Sequence, residues 1–324
     1  MTRQAAMLPT GLALPDSVAN NVRSDRRRIL VIGAGGWIGR TLLALLWQCL
    51  GPGEFSRRVV AFGSSARDIE LSSTIKVSQQ PLETLTDLEP APSLAFHLAF
   101  LTKDKVAGMD RDRYITANRA VSDRVMAGLL SAGVDRLFLA SSGAAAFADD
   151  ASAADDLRLY GQLKREDEQR FADWATDGRR AMICRIYAVS GPYVNKPETY
   201  ALASFIGAAL AGGPVTVKAP RQVFRSYVAV REVLAAALAE LLSAEAPPVT
   251  LVDSGGAPTE LADVAAIVAD LFGTTMVRAP ISEADSNIYV GDDIAWQKLL
   301  HRHGLGSMTL REQIWETAQW LQTH

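Results

Sequence analysis

The sequence predicts an α/β protein built on a doubly wound parallel sheet, from three observations. Short, almost wholly apolar runs recur from Arg28 onward, and the longer stretches between them carry apolar residues every three or four positions. The first apolar run also ends in a glycine turn that opens a helix. Strands are expected at Arg28 to Ile32, Arg58 to Phe62, Thr74 to Val77, Leu94 to Ala99, Arg136 to Ser141 and Ala181 to Tyr187. Their near-continuous hydrophobicity suits strands covered on both faces. Helices are expected at Trp37 to Leu50, Asp110 to Ala132 and Asp156 to Thr176.

After Gly191-Pro192 the rhythm is less regular. Helices at 199–211, 231–243, 259–271 and 309–322 mix with short strands near 225–230 and 249–252. The spacing therefore predicts three parts: a flexible tail over 1–28, a sheet domain over 29–191, and a smaller mixed α/β substrate-facing part over 192–324, interleaved with the sheet domain or separate from it. The tail reading rests on Pro9, Pro15, several polar residues and the basic run Arg26-Arg27-Arg28.

The chain has 324 residues, 48% hydrophobic and 21% charged, enough apolar material for a sizeable core. A formal net charge of -3 supplies no general basic field for nucleic acid or an anionic membrane. Cys49 and Cys184 both sit in apolar segments, which argues against a disulfide framework and for a reducing compartment. No stretch reaches the roughly 18 uninterrupted apolar residues of a spanning helix, so a soluble cytoplasmic protein is expected.

"ILVIGAGGWIGRTLLALL" places Gly33, Gly36 and Gly39 between the first strand and its helix. That position demands a tight turn, close backbone approach to a pyrophosphate, and a helix N-terminus to hold it. Gly33, Gly36, Trp37 and Ile38 are thus candidate dinucleotide contacts in a Rossmann arrangement. An acidic residue usually follows about 20 residues on, to hold a ribose diol. Here the second strand delivers Gly63, Ser64, Ser65 and Arg67. Hydroxyls and a guanidinium suit a 2'-phosphate, so the expected cofactor is NAD(P) with a mild preference for NADP through Ser64 and Arg67.

"LRLYGQLKREDE" sets Tyr160 and Lys164 four residues apart, one helical turn on the same face. "FLASSGA" ends a predicted strand with Ser141 and Ser142. With "GAGGWIG", "FHLAFL", "YITANRAVSDRVM" containing Asn118, "CRIYAVSGP" and "RSYVAVREV", these segments resemble the extended short-chain dehydrogenase/reductase family, the NAD(P)-dependent epimerase/dehydratase group, across residues 28 to 324.

The resemblance implies that Tyr160 is the acid/base for a substrate hydroxyl. Lys164 would touch the nicotinamide ribose and lower the phenol's pKa, and Ser142 would hydrogen-bond the reacting oxygen. A phenol titrates near pH 10, and bringing it near 7 needs about 4 kcal/mol. One ammonium about 4 Å away supplies roughly that at an effective dielectric of about 20. Ser141 competes with Ser142, because a one-residue alignment slip exchanges them; Ser142 is preferred. Leu98 and Ala99 would line the cofactor and Thr102 the substrate. Asn118 and His97 are read as structural polar residues, and His301 and His303, two apart, face different ways, so no metal site is expected.

Several members of the family act on nucleotide-linked sugars, and residues 200–233 resemble their diphosphate-binding segment. Arg225 would hold the diphosphate, with Lys196 and Tyr200 within reach of substrate. Ala188 stands where the family pattern usually has Asn, and no Asp-Glu pair follows Ser142, which ranks dehydration below epimerisation or reduction. The expected function is hydride transfer at a hydroxyl or keto group of a nucleotide sugar. A ketoreductase of a small non-nucleotide carbonyl and a non-catalytic dinucleotide sensor are the alternatives. A homodimer through the helices at 110–132 and 156–176 is also implied.

Overall fold

The computed structural model describes residues 8–323. The chain opens with helix α1 (Asp16–Ser24), strand β1 (Arg28–Ile32) and helix α2 (Trp37–Arg58), followed by β2 (Val59–Gly63), β3 (Arg67–Glu70), β4 (Lys76–Pro81) and β5 (Ser93–His97). Helix α3 (Arg111–Ser131), β6 (Val134–Ser142), α4 (Asp155–Trp174) and β7 (Arg180–Ile186) complete the alternating part. Next come β8 (Ala188–Ser190), α5 (Ala201–Leu210), β9 (Val215–Val217), β10 (Val223–Arg225), β11 (Tyr227–Ala229), α6 (Val230–Leu242) and β12 (Val249–Asp253). The chain finishes with β13 (Thr259–Glu260), α7 (Leu261–Phe272), β14 (Met276–Arg278), β15 (Asn287–Tyr289), α8 (Asp293–Arg302) and α9 (Leu310–Leu321).

Eight strands form one sheet in the order β12-β7-β6-β5-β1-β2-β4-β3. Neighbours are parallel except for β3 against β4. The apolar runs are continuous because both faces are buried. Along β1, Ile29 and Val31 enter the core shared with α2 and α6, while Leu30 and Ile32 enter the core under α3 and α4. The same alternation separates Phe138 and Ala140 from Leu137 and Leu139 in β6, and Met182 and Cys184 from Ala181 and Ile183 in β7. Strand order reverses between β1 and β5, so the crevice outside their carboxyl ends is the place for a ligand.

β12 returns from beyond Gly191-Pro192 to pair with β7, from Val249 against Ala181 to Asp253 against Arg185. A third apolar cluster, with Phe205, Ile206, Val264, Val268 and Ile314, joins α5, α7 and α9 in the remaining part. Parallel pairing of β10 with β15 sets Arg225 beside Tyr289.

The expected flexible tail is corrected for residues 8–28; residues 1–7 lie outside the described residues. Leu12, Leu14, Val18, Ala19 and Val22 are buried in the main core, with α1 packed on α2 and α6. Val18 and Val22 lie one turn apart and make a short apolar stripe that the prolines and polar neighbours obscure in the sequence. Side chains from elsewhere hold its backbone: Arg58 Nη1 donates to the Val22 carbonyl at 3.0 Å, and Arg231 Nη1 to that of Gly11 at 3.1 Å. Helix α2 also runs on to Arg58 across a break at Gly51-Pro52, where Gly51 has φ 70°.

Candidate active site

The glycine turn leaves β1 under strict steric limits. Gly33 has φ 90°, and a Cβ there would lie 2.7 Å from the Leu98 carbonyl carbon and the Ala99 amide nitrogen. At Gly39 a Cβ would lie 2.5 Å from the Gly33 carbonyl oxygen, so only glycine lets α2 start this close to the strand. At Gly36 a Cβ would meet only that same oxygen, at 3.4 Å, which leaves the turn open on its outer side. Gly36 caps α2 without a side-chain hydrogen bond, so the first-turn amides point outward as an anion cradle. Gly33 thus meets Leu98 and Ala99 across the crevice, and Gly36, Trp37 and Ile38 follow it at the start of α2. This cradle fits a dinucleotide pyrophosphate.

Arg67, exposed on β3, lays its guanidinium against Gly35 at the rim of the cradle, beside Gln79. Gln79 Nε2 donates to the Ser65 carbonyl at 2.7 Å and so fixes the turn that holds exposed Ser64. The turn after β2 offers hydroxyls and this guanidinium where a carboxylate is usual.

Tyr160 and Lys164 project from α4 toward the end of β6. Gly161 permits this approach, because a Cβ on it would collide with the Ala144 carbonyl. The two serines at the end of β6 face opposite ways, as strand alternation requires. Ser141 donates to Glu168 Oε1 at 2.6 Å, and Glu168 also takes Arg185 Nε at 2.9 Å and Nη2 at 2.7 Å, which makes a buried structural network. Ser142 Oγ accepts from the Ala144 amide at 3.2 Å, lies 3.2 Å from the Tyr289 hydroxyl, and favours ionisation of Tyr160 by hydrogen bonding.

The electrostatics differ from the expected close pairing of phenol and ammonium. Lys164 Nζ donates to the Ala140 carbonyl at 2.9 Å and sits 3.8 Å from the Phe100 ring centroid, while the Tyr160 centroid is 5.9 Å away. Burial lowers the Lys164 pKa to about 8, against the opposing pull of Asp167 and Glu168. Tyr160 is pushed above the ordinary phenol value, mainly by burial and next by the neighbouring Tyr289. The cause is geometric: Phe100 stacks edge-on to Tyr160 at 5.6 Å and gives the ammonium a nearer π-face.

His97 is fully buried against Phe171, and burial holds its pKa down at about 3. Asn118 accepts from the Leu101 amide at 2.8 Å and donates to the Tyr114 carbonyl at 3.3 Å, tying the loop after β5 to α3. Both therefore sit in structural surroundings. His301 is exposed and His303 meets Glu240 at 2.5 Å. Among the described residues no group of three or more His, Cys, Asp or Glu could hold a metal ion, and no helix is long and apolar enough to cross a membrane.

On the other wall, Arg225 is half-buried, with Nη1 donating to the Phe224 carbonyl at 2.7 Å and Cζ 5.8 Å from the Tyr289 ring centroid. Among the described residues no carboxylate pairs with it. Tyr200 packs edge-on against Trp37 at 5.1 Å and bears electrostatically on Tyr160. Thr102 is exposed on the loop after β5, and Lys196 is half-buried before the short turn Pro197–Thr199. Sequence reasoning passed over Phe100, Phe147, Tyr187 and Tyr289. Tyr289 stacks on Phe147 at 5.8 Å and lies 4.8 Å from Tyr187, whose hydroxyl donates to Asp253 Oδ2 at 3.1 Å.

Three solved structures illustrate the likeness of fold. MoeE5 in complex with UDP-glucose and NAD is 23% identical, covers 91% of this chain and 98% of that chain, and superposes with a TM-score of 0.68. The UDP-glucose 4-epimerase of Thermus thermophilus, in complex with NAD, is 21% identical over 91% of this chain and 99% of that one, with a TM-score of 0.66. TunA, an NAD-dependent NDP-hexosamine 5,6-dehydratase of tunicamycin biosynthesis, is 19% identical over 92% and 98%, with a TM-score of 0.67. No curated protein matches the chain. Residues 29–251, most of the sheet together with β12, match the NAD dependent epimerase/dehydratase family, and the chain belongs to that family.

Proposed function

We propose that the protein is an NAD(P)-dependent oxidoreductase or epimerase that acts on a hydroxyl or keto group of a nucleotide-linked sugar. The observation that carries the reading is the meeting of Ser142, Tyr160 and Lys164 at the carboxyl ends of the strands, beside a glycine cradle that fits a pyrophosphate. A bound nicotinamide supplies the site for hydride exchange. Ser142 holds the reacting oxygen, and Tyr160 takes or returns its proton. Burial works against the phenolate, and a cation above the phenol would offset it. Lys164, with its pKa lowered to about 8, keeps a charge at neutral pH on the same helix face, 5.9 Å from the Tyr160 ring centroid and nearer to Phe100, so the positive ring of an oxidised nicotinamide would have to supply the rest.

Arg225 beside Tyr289 suits a substrate diphosphate, because its guanidinium is set in place by the Phe224 and Asn287 carbonyls and has no carboxylate partner among the described residues. Arg67 at the cradle rim, with exposed Ser64 in the turn after β2, supports NADP. Epimerisation returns hydride to the opposite face of the keto form, whereas reduction stops after one transfer. Pairing of two copies through α3 and α4 is part of the same reading; both helices carry exposed charge, and within one chain Arg119–Glu166 and Asp123–Arg170 hold them side by side.

The test combines the dinucleotide released by denaturing the purified protein with product analysis on UDP-glucose, UDP-N-acetylglucosamine and their 4-keto forms. A released NAD(P) and interconversion of any of these by the protein, lost in Tyr160→Phe, is expected. Retained activity in Tyr160→Phe overturns the acid/base role.

A further inference from the structure

The hydroxyl of Ser142 stands between two phenols that the sequence separates by more than a hundred residues. It carries one proton and two lone pairs. The Ala144 amide donates into one lone pair at 3.2 Å. The Tyr289 hydroxyl lies 3.2 Å away, and Tyr160 faces the same oxygen. If Tyr289 donates, it fills the second lone pair and leaves the serine proton for the reacting centre, Tyr160 before substrate binds and the substrate oxygen afterwards. If Tyr289 accepts, that proton is drawn away from the reacting centre.

The surroundings of Tyr289 favour the donating role. The Ala144 amide, which donates to Ser142, also bears on the Tyr289 oxygen and favours lone-pair density there, so the Tyr289 proton is turned away from it toward Ser142, among the described residues the one side chain its hydroxyl meets. Phe147 and Tyr187 clamp the ring on two sides, and register with Arg225 fixes its height on β15. We propose that Tyr289 is a positioning residue that acts through Ser142, turning the single serine proton toward Tyr160. The inference rests on the acid/base reading of Tyr160.

Other ionisable groups bear on the pair. Arg225 and Asp253 face Tyr289 with opposite effects, and Tyr187 joins Asp253 to the ring. Tyr114 and Tyr200 face Tyr160, with Lys164 beyond its ring. These act through space and remain when one hydroxyl is removed. A contribution that passes through Ser142 vanishes when Ser142 is lost.

The test is an ultraviolet phenolate titration in saturating NAD. Subtracting the curve of Tyr160→Phe isolates Tyr160 from the other tyrosines. Tyr289→Phe, which keeps the clamped ring, removes both the hydrogen bond relayed by Ser142 and the direct through-space push of Tyr289 on Tyr160; loss of the relayed part is expected to leave the Tyr160 midpoint about half to one pH unit higher than loss of the direct part alone, the size of one net hydrogen bond. In a Ser142→Ala background only the direct effect is lost, so the same substitution is expected to leave the midpoint unchanged or to lower it. Equal shifts with and without Ser142, or no shift in either, overturn the inference and leave the acid/base reading standing. If no Tyr160 limb emerges below about pH 11 in the parent protein, the acid/base reading falls and the inference with it.

Discussion

Lys164 stands over Phe100 and not over Tyr160: its Nζ is 3.8 Å from the first ring centroid and 5.9 Å from the second. The ammonium is fully buried there, with the Ala140 carbonyl as its hydrogen-bond acceptor. A cation on an aromatic face with a single carbonyl acceptor is poorly solvated, which is why its pKa falls to about 8.

That position makes stability depend on pH in a defined direction. The folded pKa lies below the value of 10.5 found in an unperturbed chain, so between about 8 and 10.5 the unfolded state holds a proton that the folded state has released. Stability therefore rises with pH through that window, and the full penalty applies below it. Subtracting the Lys164→Met stability curve from the parent curve cancels the other titrating groups. The difference is expected to rise by up to about 1.4 kcal/mol per pH unit between pH 8 and 10. Chemical denaturation at several pH values measures it, and a flat difference would mean an ammonium solvated as in water.

The two adjacent serines should separate stability from turnover. Ser141→Ala removes a buried bond to the carboxylate that also holds Arg185, and is expected to cost about 1–2 kcal/mol of stability while product formation changes by no more than a few fold. Ser142→Ala is expected to cost under about 1 kcal/mol and to lower kcat by about 10²–10³, as for loss of one donor to a reacting oxygen. Urea melts and initial rates on both variants decide the assignment. A reversed pattern would exchange the roles.

The parts of the site that were legible in the sequence are those set by local geometry. Gly33 to Gly39 form one strand-turn-helix, and Tyr160 with Lys164 share one helical face, so spacing alone puts them on the same side of α4, though not in the close pairing expected of them. Ser142 could be separated from Ser141 only by strand direction, which a one-residue slip inverts. Tyr289 was illegible for a different reason. It reaches Ser142 because β15 pairs with β10, a contact across more than sixty residues with no local pattern to announce it. Phe100 lies in a loop whose path depends on Asn118 and Tyr114 in the following helix, so its seat beneath Lys164 follows from tertiary contacts.

The N-terminal segment read as a tail is part of the core, and this too has a measurable consequence. Leu12 is fully buried among residues of the main cluster. Leu12→Ala is expected to destabilise the protein by about 2–4 kcal/mol, the range for a buried leucine whose cavity does not collapse. A thermal or urea melt unchanged within about 0.5 kcal/mol would show that the segment contributes nothing to the folded state.

Arg67 offers the sharpest separation between the two dinucleotides. Its guanidinium rests against Gly35 at the cradle rim, on a strand with exposed Asp68 and Glu70 beside it but no acidic residue at the end of β2. A 2'-phosphate placed there gains charge-assisted hydrogen bonds worth about 1.5–3 kcal/mol, or roughly 10- to 150-fold in affinity. A bare diol gains little from the same group. Arg67→Ala is therefore expected to weaken NADP binding by that factor and NAD binding by less than about threefold. Calorimetric titration of both cofactors on both proteins makes the comparison. Equal losses for the two cofactors would place Arg67 on a phosphate they share, and tighter NAD binding by the parent protein would remove the preference for NADP.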